Sequence, residues 1–210
     1  MTIAADLLEK ALLAAAASYA RGELAYLALT SKPELAIRDR LAWVLHHQLT
    51  NHVIAREWAA PGSKRARTDL AVLDTEGRRP LVLMEAKAAY TFDFVSPEQQ
   101  SGVNCRARVE RDLAKARIAA RDERVAVYGL VLLTHPVEVP ADFPRVIKYL
   151  PEIRRSLRYR TSGELQRLAS DTADAHFAGF GPSRSGSLDG GVAFGVRTLV
   201  EYRLIGPVHG

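Results

Sequence analysis

The chain has 210 residues and a net charge of +5, with 48% hydrophobic and 25% charged residues. These proportions exclude a disordered chain, and the length suits one domain with a sizeable core (residues 1–210) while being short for two. The basic balance, with a pI of about 9.5, suits a polyanionic partner; Cys105 as the sole cysteine excludes an intramolecular disulfide and a cysteine-built zinc site, and fits a reducing cytoplasm.

Residues 3–20 are strong helix formers, and Gly22 breaks them from a second helical run over 23–29. The apolar, Ala-rich stretch 11–20 follows Asp6, Glu9 and Lys10, whereas a signal peptide has a basic lead-in. No stretch reaches the roughly 18 apolar residues of a membrane-spanning helix, so no membrane partner is expected. Ser31, Lys32 and Pro33 open the next helix, with Ile37, Leu41, Val44, Leu45 and Leu49 at the helical period. Glu34, three residues before Ile37 and seven before Leu41, continues that inward stripe. Ser31 and Glu34 also fit a capping box, in which the glutamate satisfies a backbone donor. His46, His47 and His52 are poor co-ligands, because adjacent histidines diverge on a helix.

Residues 52–59 read as a strand, followed by a basic loop with Lys64, Arg65 and Arg67 beside Asp69. Two apolar runs, Leu70 to Leu73 and Leu81 to Met84, then flank a charged loop containing Gly77 and Pro80, which is a β-hairpin signal. Symmetry about Gly77 pairs Leu73 with Leu81 and Asp69 with Glu85. Opposed carboxylates at about 5 Å repel, so positive charge is expected between them. On the second strand Leu81, Leu83, Glu85 and Lys87 share one face; apolar residues begin both faces, as in an interior strand, and charge enters only at its end. Asp followed by Glu-x-Lys supplies hard oxygen ligands of the kind Mg²⁺ prefers, and a cation to orient water or stabilise developing charge.

After Lys87, Tyr90, Phe92 and Phe94 pack the next helix or stack on bases. The helix at about 104–121 buries Val109, Leu113, Ala116 and Ala120 and carries a basic stripe of Arg108, Arg111 and Lys115, partly balanced by Asp112 and Glu123. Residues 125–133 read as a central strand buried on both faces, and 146–150 as a further strand. Arg154, Arg155, Arg158 and Arg160 form the densest basic patch, with Tyr159 interleaved. Thr161 and Glu164 cap a helix to about Phe177, the Gly-, Ser- and Pro-rich stretch 179–191 reads as a flexible loop, and 192–204 alternates as a terminal strand.

Asp69, Glu85 and Lys87, with Ala86 as the variable position, resemble the motif of the PD-(D/E)XK nuclease superfamily, which includes many restriction endonucleases; Thr68 stands where that family has proline. The predicted order from residue 34 to 134 also resembles its αβββαβ core. The resemblance implies an α/β fold with a central mixed sheet flanked by helices (core about 31–134), here with an N-terminal helical arm and a C-terminal extension that ends in a strand. It implies a Mg²⁺-dependent DNA endonuclease, with Mn²⁺ able to substitute, acting on double-stranded DNA as a homodimer in restriction or phage defence. It assigns Asp69, Glu85 and Glu34 to the metal and Lys87 to the water, and it makes Glu34 a fourth member of the catalytic set, with Asp39 and Glu57 as alternatives. Nucleic-acid contacts would come from Lys64, Arg65, Arg67, Arg108, Arg111, Lys115, Arg154, Arg155 and Arg158, with Gln99 and Gln100 as alternatives to Arg111 and Lys115. Two rival readings remain: a catalytically inactive module of this fold that binds nucleic acid, and a protein-interaction domain contacting partners through the N-terminal helix.

Overall fold

Alternating and doubly apolar strands need cover on both faces, and a computed structural model provides it by setting one sheet between two helical layers. It describes residues 4–62, 67–95, 101–120, 122 and 124–208. The strands are β1 (Val53–Ala59), β2 (Arg67–Leu73), β3 (Pro80–Tyr90), β4 (Ala126–Pro136), β5 (Ser183–Ala193) and β6 (Val196–Ile205). They lie in the order β1-β2-β3-β4-β6-β5. β3 and β4 run parallel and every other neighbouring pair antiparallel, so this is an α/β fold on a six-stranded mixed sheet.

Helices α1 (Ala5–Ala17), α2 (Glu23–Thr30) and α3 (Glu34–Gln48) bury Leu8, Leu12, Leu24, Ile37, Leu41 and Leu45 against Val72, Met84 and Leu130 on one face. On the other face α4 (Ser101–Ala120), α5 (Leu150–Tyr159) and α6 (Ser162–Phe177) bury Val109, Leu113, Ile153 and Phe177 against Leu83 and Val131. Each fully buried leucine or valine contributes roughly 1.5–3 kcal/mol of transfer free energy. β4 is buried along nearly its whole length, as its continuous apolar run predicts. The run α3-β1-β2-β3-α4-β4 follows the predicted order of elements.

Three expectations need correction. Residues 146–149 form turns rather than a strand and lead into α5, whose first turn carries Pro151, a residue suited to helix starts. The stretch 179–191 is largely strand β5 rather than a flexible loop, because its small residues let a helix lie close to the sheet. A Cβ on Gly190 would sit 2.7 Å from the Thr198 carbonyl oxygen and 3.2 Å from the Ala25 nitrogen of α2, and Gly22, at φ +78, would put its own Cβ 2.4 Å from the Val192 carbonyl oxygen. Residues 192–204 are therefore not one strand but the turn and second arm of the β5–β6 hairpin. The aromatics are core: Tyr90, Phe92 and Phe94 are all buried, the last two on a 3-10 turn, Thr91–Phe94.

Buried polar groups fix that turn and α6. His135 of β4 is hydrogen-bonded through Nδ1 to Thr91 Oγ1 at 3.1 Å and through Nε2 to Ser162 Oγ at 2.8 Å, and burial pushes its pKa down to about 4, so it stays neutral. Arg203 of β6, also buried, donates to Asp174 of α6 at 2.9 Å and to Glu201 at 3.2 Å. The Thr161–Glu164 capping box forms as predicted.

Gly22→Ala should lower the melting temperature, corresponding to about 1 kcal/mol or more, because the new methyl meets backbone at a left-handed position. Gly163→Ala, whose Cβ meets nothing within 4 Å, should be neutral or stabilising by about 0.5 kcal/mol. Thermal melts of the two variants check both; a Gly22 variant as stable as the parent would contradict the packing described.

Candidate functional site

β2 and β3 pair through Leu70↔Met84, Ala71↔Leu83 and Val72↔Val82, the register that symmetry about Gly77 predicts. Leu73, however, pairs with Pro80 rather than Leu81, across a bulge that the proline and the turn impose. At the other end the described ladder stops at Leu70↔Met84. One residue further on, the Asp69 carboxylate accepts the Ala86 amide at 2.7 Å. Two residues beyond that, Glu34 Oε2 accepts the Ala88 amide at 2.8 Å. Side chains thus replace the strand pairing that β2 no longer supplies.

Glu34 reaches β3 because it is the first residue of α3, with Pro33 at the N-cap. The capping box does not form; Ser31 Oγ instead donates to the Leu27 carbonyl at 3.0 Å. This decides between the two sequence readings of Glu34 in favour of an inward carboxylate at the end of β3.

Glu85 and Lys87 share the β3 face that packs on α4. Glu85 is 8% exposed. Burial, then the charges of Asp69 and Asp112, push its pKa up to about 8 against the pull of Lys87, and it shares a hydrogen bond with Asp69. Lys87 Nζ donates to Asp112 Oδ2 at 2.9 Å and to the Ala86 carbonyl at 3.0 Å. Burial opposes its charge, but Asp112, with Asp69 and Glu34 behind it, raises its pKa above the usual lysine value. Asp112 is itself held low, against burial, by Lys87 and Lys115.

Two residues take parts that the sequence reading does not give them: Asp112, there only balancing charge on a solvated face, and Arg38, there without a role. Asp112 lies three residues after Val109, on the buried stripe of α4, the same placement that marked Glu34. Arg38, one helical turn after Glu34, is buried at 7%, pairs with Glu57 and Asp39, and approaches Asp69 Oδ1 at 3.8 Å. Glu57 holds φ +51 within β1, a left-handed conformation that costs on the order of 1 kcal/mol. Asp39 and Glu57, the alternatives to Glu34, therefore surround Arg38, and Glu34 alone of the three meets β3.

A cavity of about 820 Å³ opens on the Lys87 side, with Lys32, Glu34, Lys87, Arg108, Arg111 and Asp112 on its wall. Asp69 and Glu85 do not line it. Arg111 and Lys115 pair with Asp112 at 3.7 and 3.1 Å. Arg67 is exposed at the start of β2. Arg154, Arg155 and Arg158 stand on α5 around a separate hollow of about 490 Å³ with Tyr159, and Arg154 pairs with Asp142 at 3.0 Å. Lys64, Arg65, Gln99, Gln100 and Glu123 lie outside the described residues. His46 and His47 are exposed and both pack on Trp43, their ring centroids 5.3 Å apart.

Among the described residues no three His, Cys, Asp or Glu side chains converge as a ready-made metal cage. The donor set nevertheless suits a hard divalent cation: two adjoining carboxylates, one of them protonated by its burial and by the negative charge of Asp69 and Asp112, are relieved by positive charge. No helix among the described residues is long and apolar enough to cross a membrane. Comparison with protein-family models, with curated proteins and with solved structures finds no match.

Because the folded state retains the Glu85 proton that the unfolded chain gives up above about pH 4.5, stability in EDTA should fall as pH rises from about 5 to 8, by about 1 kcal/mol per pH unit. Glu85→Gln should flatten that slope and melt higher than the parent at pH 8. Denaturant unfolding across this range measures it; parallel pH profiles for the two proteins would contradict the assignment.

Proposed function

We propose that the protein is a Mg²⁺-dependent nuclease that hydrolyses DNA phosphodiester bonds, on a sheet and helix arrangement of the PD-(D/E)XK type. The observation that carries this reading is the Asp69–Glu85 carboxylate pair where β2 parts from β3, with Lys87 and the Glu34 carboxylate next along the same strand. Asp69 and Glu85, with Glu34 completing the set, would hold the cation. When bound, Mg²⁺ polarises the scissile phosphate and lowers the pKa of its water.

The chain's own groups do the rest. Lys87 is held as an ammonium by Asp112, and that charge offsets charge that develops on the phosphate. Asp112 is a positioning residue, since it holds that ammonium at the cavity wall. Arg108 and Arg111 on α4 bind neighbouring phosphates, and the arginines of α5 extend the basic surface. Phosphate contacts set position on the strand and carry no sequence information.

A second reading, a non-catalytic nucleic-acid-binding module, draws on the Lys87–Asp112 bridge and on the lack of a preassembled cage among the described residues. Cleavage of supercoiled plasmid in EDTA, Mg²⁺ or Mn²⁺ separates the two. The nuclease reading expects metal-dependent cutting by the parent, reduced about 100-fold or more by Glu85→Gln and by Lys87→Ala. No cutting under any metal, with equal gel shifts for all three proteins, would leave the binding module.

A further inference from the structure

The 820 Å³ cavity is larger than a phosphate contact requires, and its wall mixes charge of both signs with aromatic surface. Lys87, Arg108 and Arg111 line it beside Glu34 and Asp112, and Phe92, Asp93, Tyr149 and Glu152 line it too, with Lys32 acting on Asp93. Cations with carboxylates suit the phosphate and the base of a nucleotide, because carboxylates accept hydrogen bonds from exocyclic base amines but repel phosphate.

Tyr149 is the residue that decides the occupant. It is 38% exposed on the cavity wall and holds φ +57, a left-handed conformation rare for a bulky side chain. The surrounding structure fixes it there. The amide of Lys148 donates to the Leu29 carbonyl at 2.8 Å, and Tyr90 and Phe92 meet the ring at steep angles with centroids 5.2 and 6.2 Å away. Neither neighbour lies parallel to the ring. The Lys148 ammonium stands over the ring, 5.3 Å from its centroid, a cation–π contact on one face.

We propose that this cavity takes an unpaired base of the DNA strand, stacked on Tyr149 with its amine edge toward Glu152 and Asp93, while the adjoining phosphates lie along Arg108 and Arg111. The inference rests on the nuclease reading and narrows it: the substrate is DNA with an unpaired stretch, such as a single strand, flap or fork, rather than continuous duplex. A base within a closed duplex cannot reach a cavity wall without leaving its stack, which costs a few kcal/mol.

The test is binding in EDTA, where no cutting can occur, of a single strand and of the matching duplex, each carrying 2-aminopurine, followed by fluorescence and anisotropy. The parent should bind the single strand about tenfold or more tighter than the duplex and quench the probe. Tyr149→Phe should keep that preference, and Tyr149→Leu should lose about tenfold in single-strand affinity together with the quench. Equal affinity of the parent for strand and duplex would overturn the proposal without recourse to any variant, and so would unchanged binding and quenching by Tyr149→Leu. The two readings fail separately. Strand-selective binding without metal-dependent cutting would remove the nuclease and leave the base site, whereas cutting of duplex with no strand preference would keep the nuclease and remove the base site.

Discussion

Two backbone amides, those of Ala86 and Ala88, hold the structure of the site together. Beyond Leu70↔Met84 the β2 ladder no longer serves β3, and an unpaired amide in a buried strand costs about 1–3 kcal/mol. Asp69 satisfies one amide and Glu34 the other. Strand β3 can therefore continue to Tyr90, pair with β4 along its length, and still carry a gap on its other edge. The gap is where charged side chains gather, so the carboxylates that complete the sheet also make the site.

That arrangement concentrates negative charge in a poorly solvated place. The protein meets it on two sides: Arg38 stands against Asp69, Asp39 and Glu57, and Lys87 stands against Asp112. Glu85, between Asp69 and Asp112, is left with a proton instead. Each response limits the chemistry available. Lys87 is held as a cation by Asp112, Asp112 spends its charge on orienting it, and added positive charge would relieve the Asp69–Glu85 pair. The nuclease proposal and the base-binding cavity share one element, since Lys87 and Glu34 stand on the same cavity wall as Arg108, Arg111 and Tyr149.

Much of this was legible in the sequence. Helix-forming composition placed α1 and α2 and the helical period α3 and α4, the symmetry about Gly77 gave the correct register from Leu70 to Val72, and the parity of β3 put Glu85 and Lys87 on one face. The errors share a cause: local composition cannot report what packs above it. Residues 179–191 look like a loop because they are small, yet they are small because α2 lies on them. The helix-forming character of α5 was hidden behind Pro151, which reads equally as a breaker. Asp112 and Arg38 were passed over because charges on a helix are usually solvated, although both sit at positions in phase with buried neighbours. The αL residues Glu57 and Tyr149 carry no local signal at all, since their conformation is set by contacts remote in sequence.

The central claim is that the crowded Asp69–Glu85 pair is a divalent-cation site. Calorimetric titration of Mg²⁺ into the protein at pH 7, in buffers of differing ionisation enthalpy, tests it most directly. If the cation displaces the Glu85 proton into the buffer, binding should release about one proton per Mg²⁺ in the parent and none in Glu85→Gln. Binding without proton release, or no binding, would contradict the account.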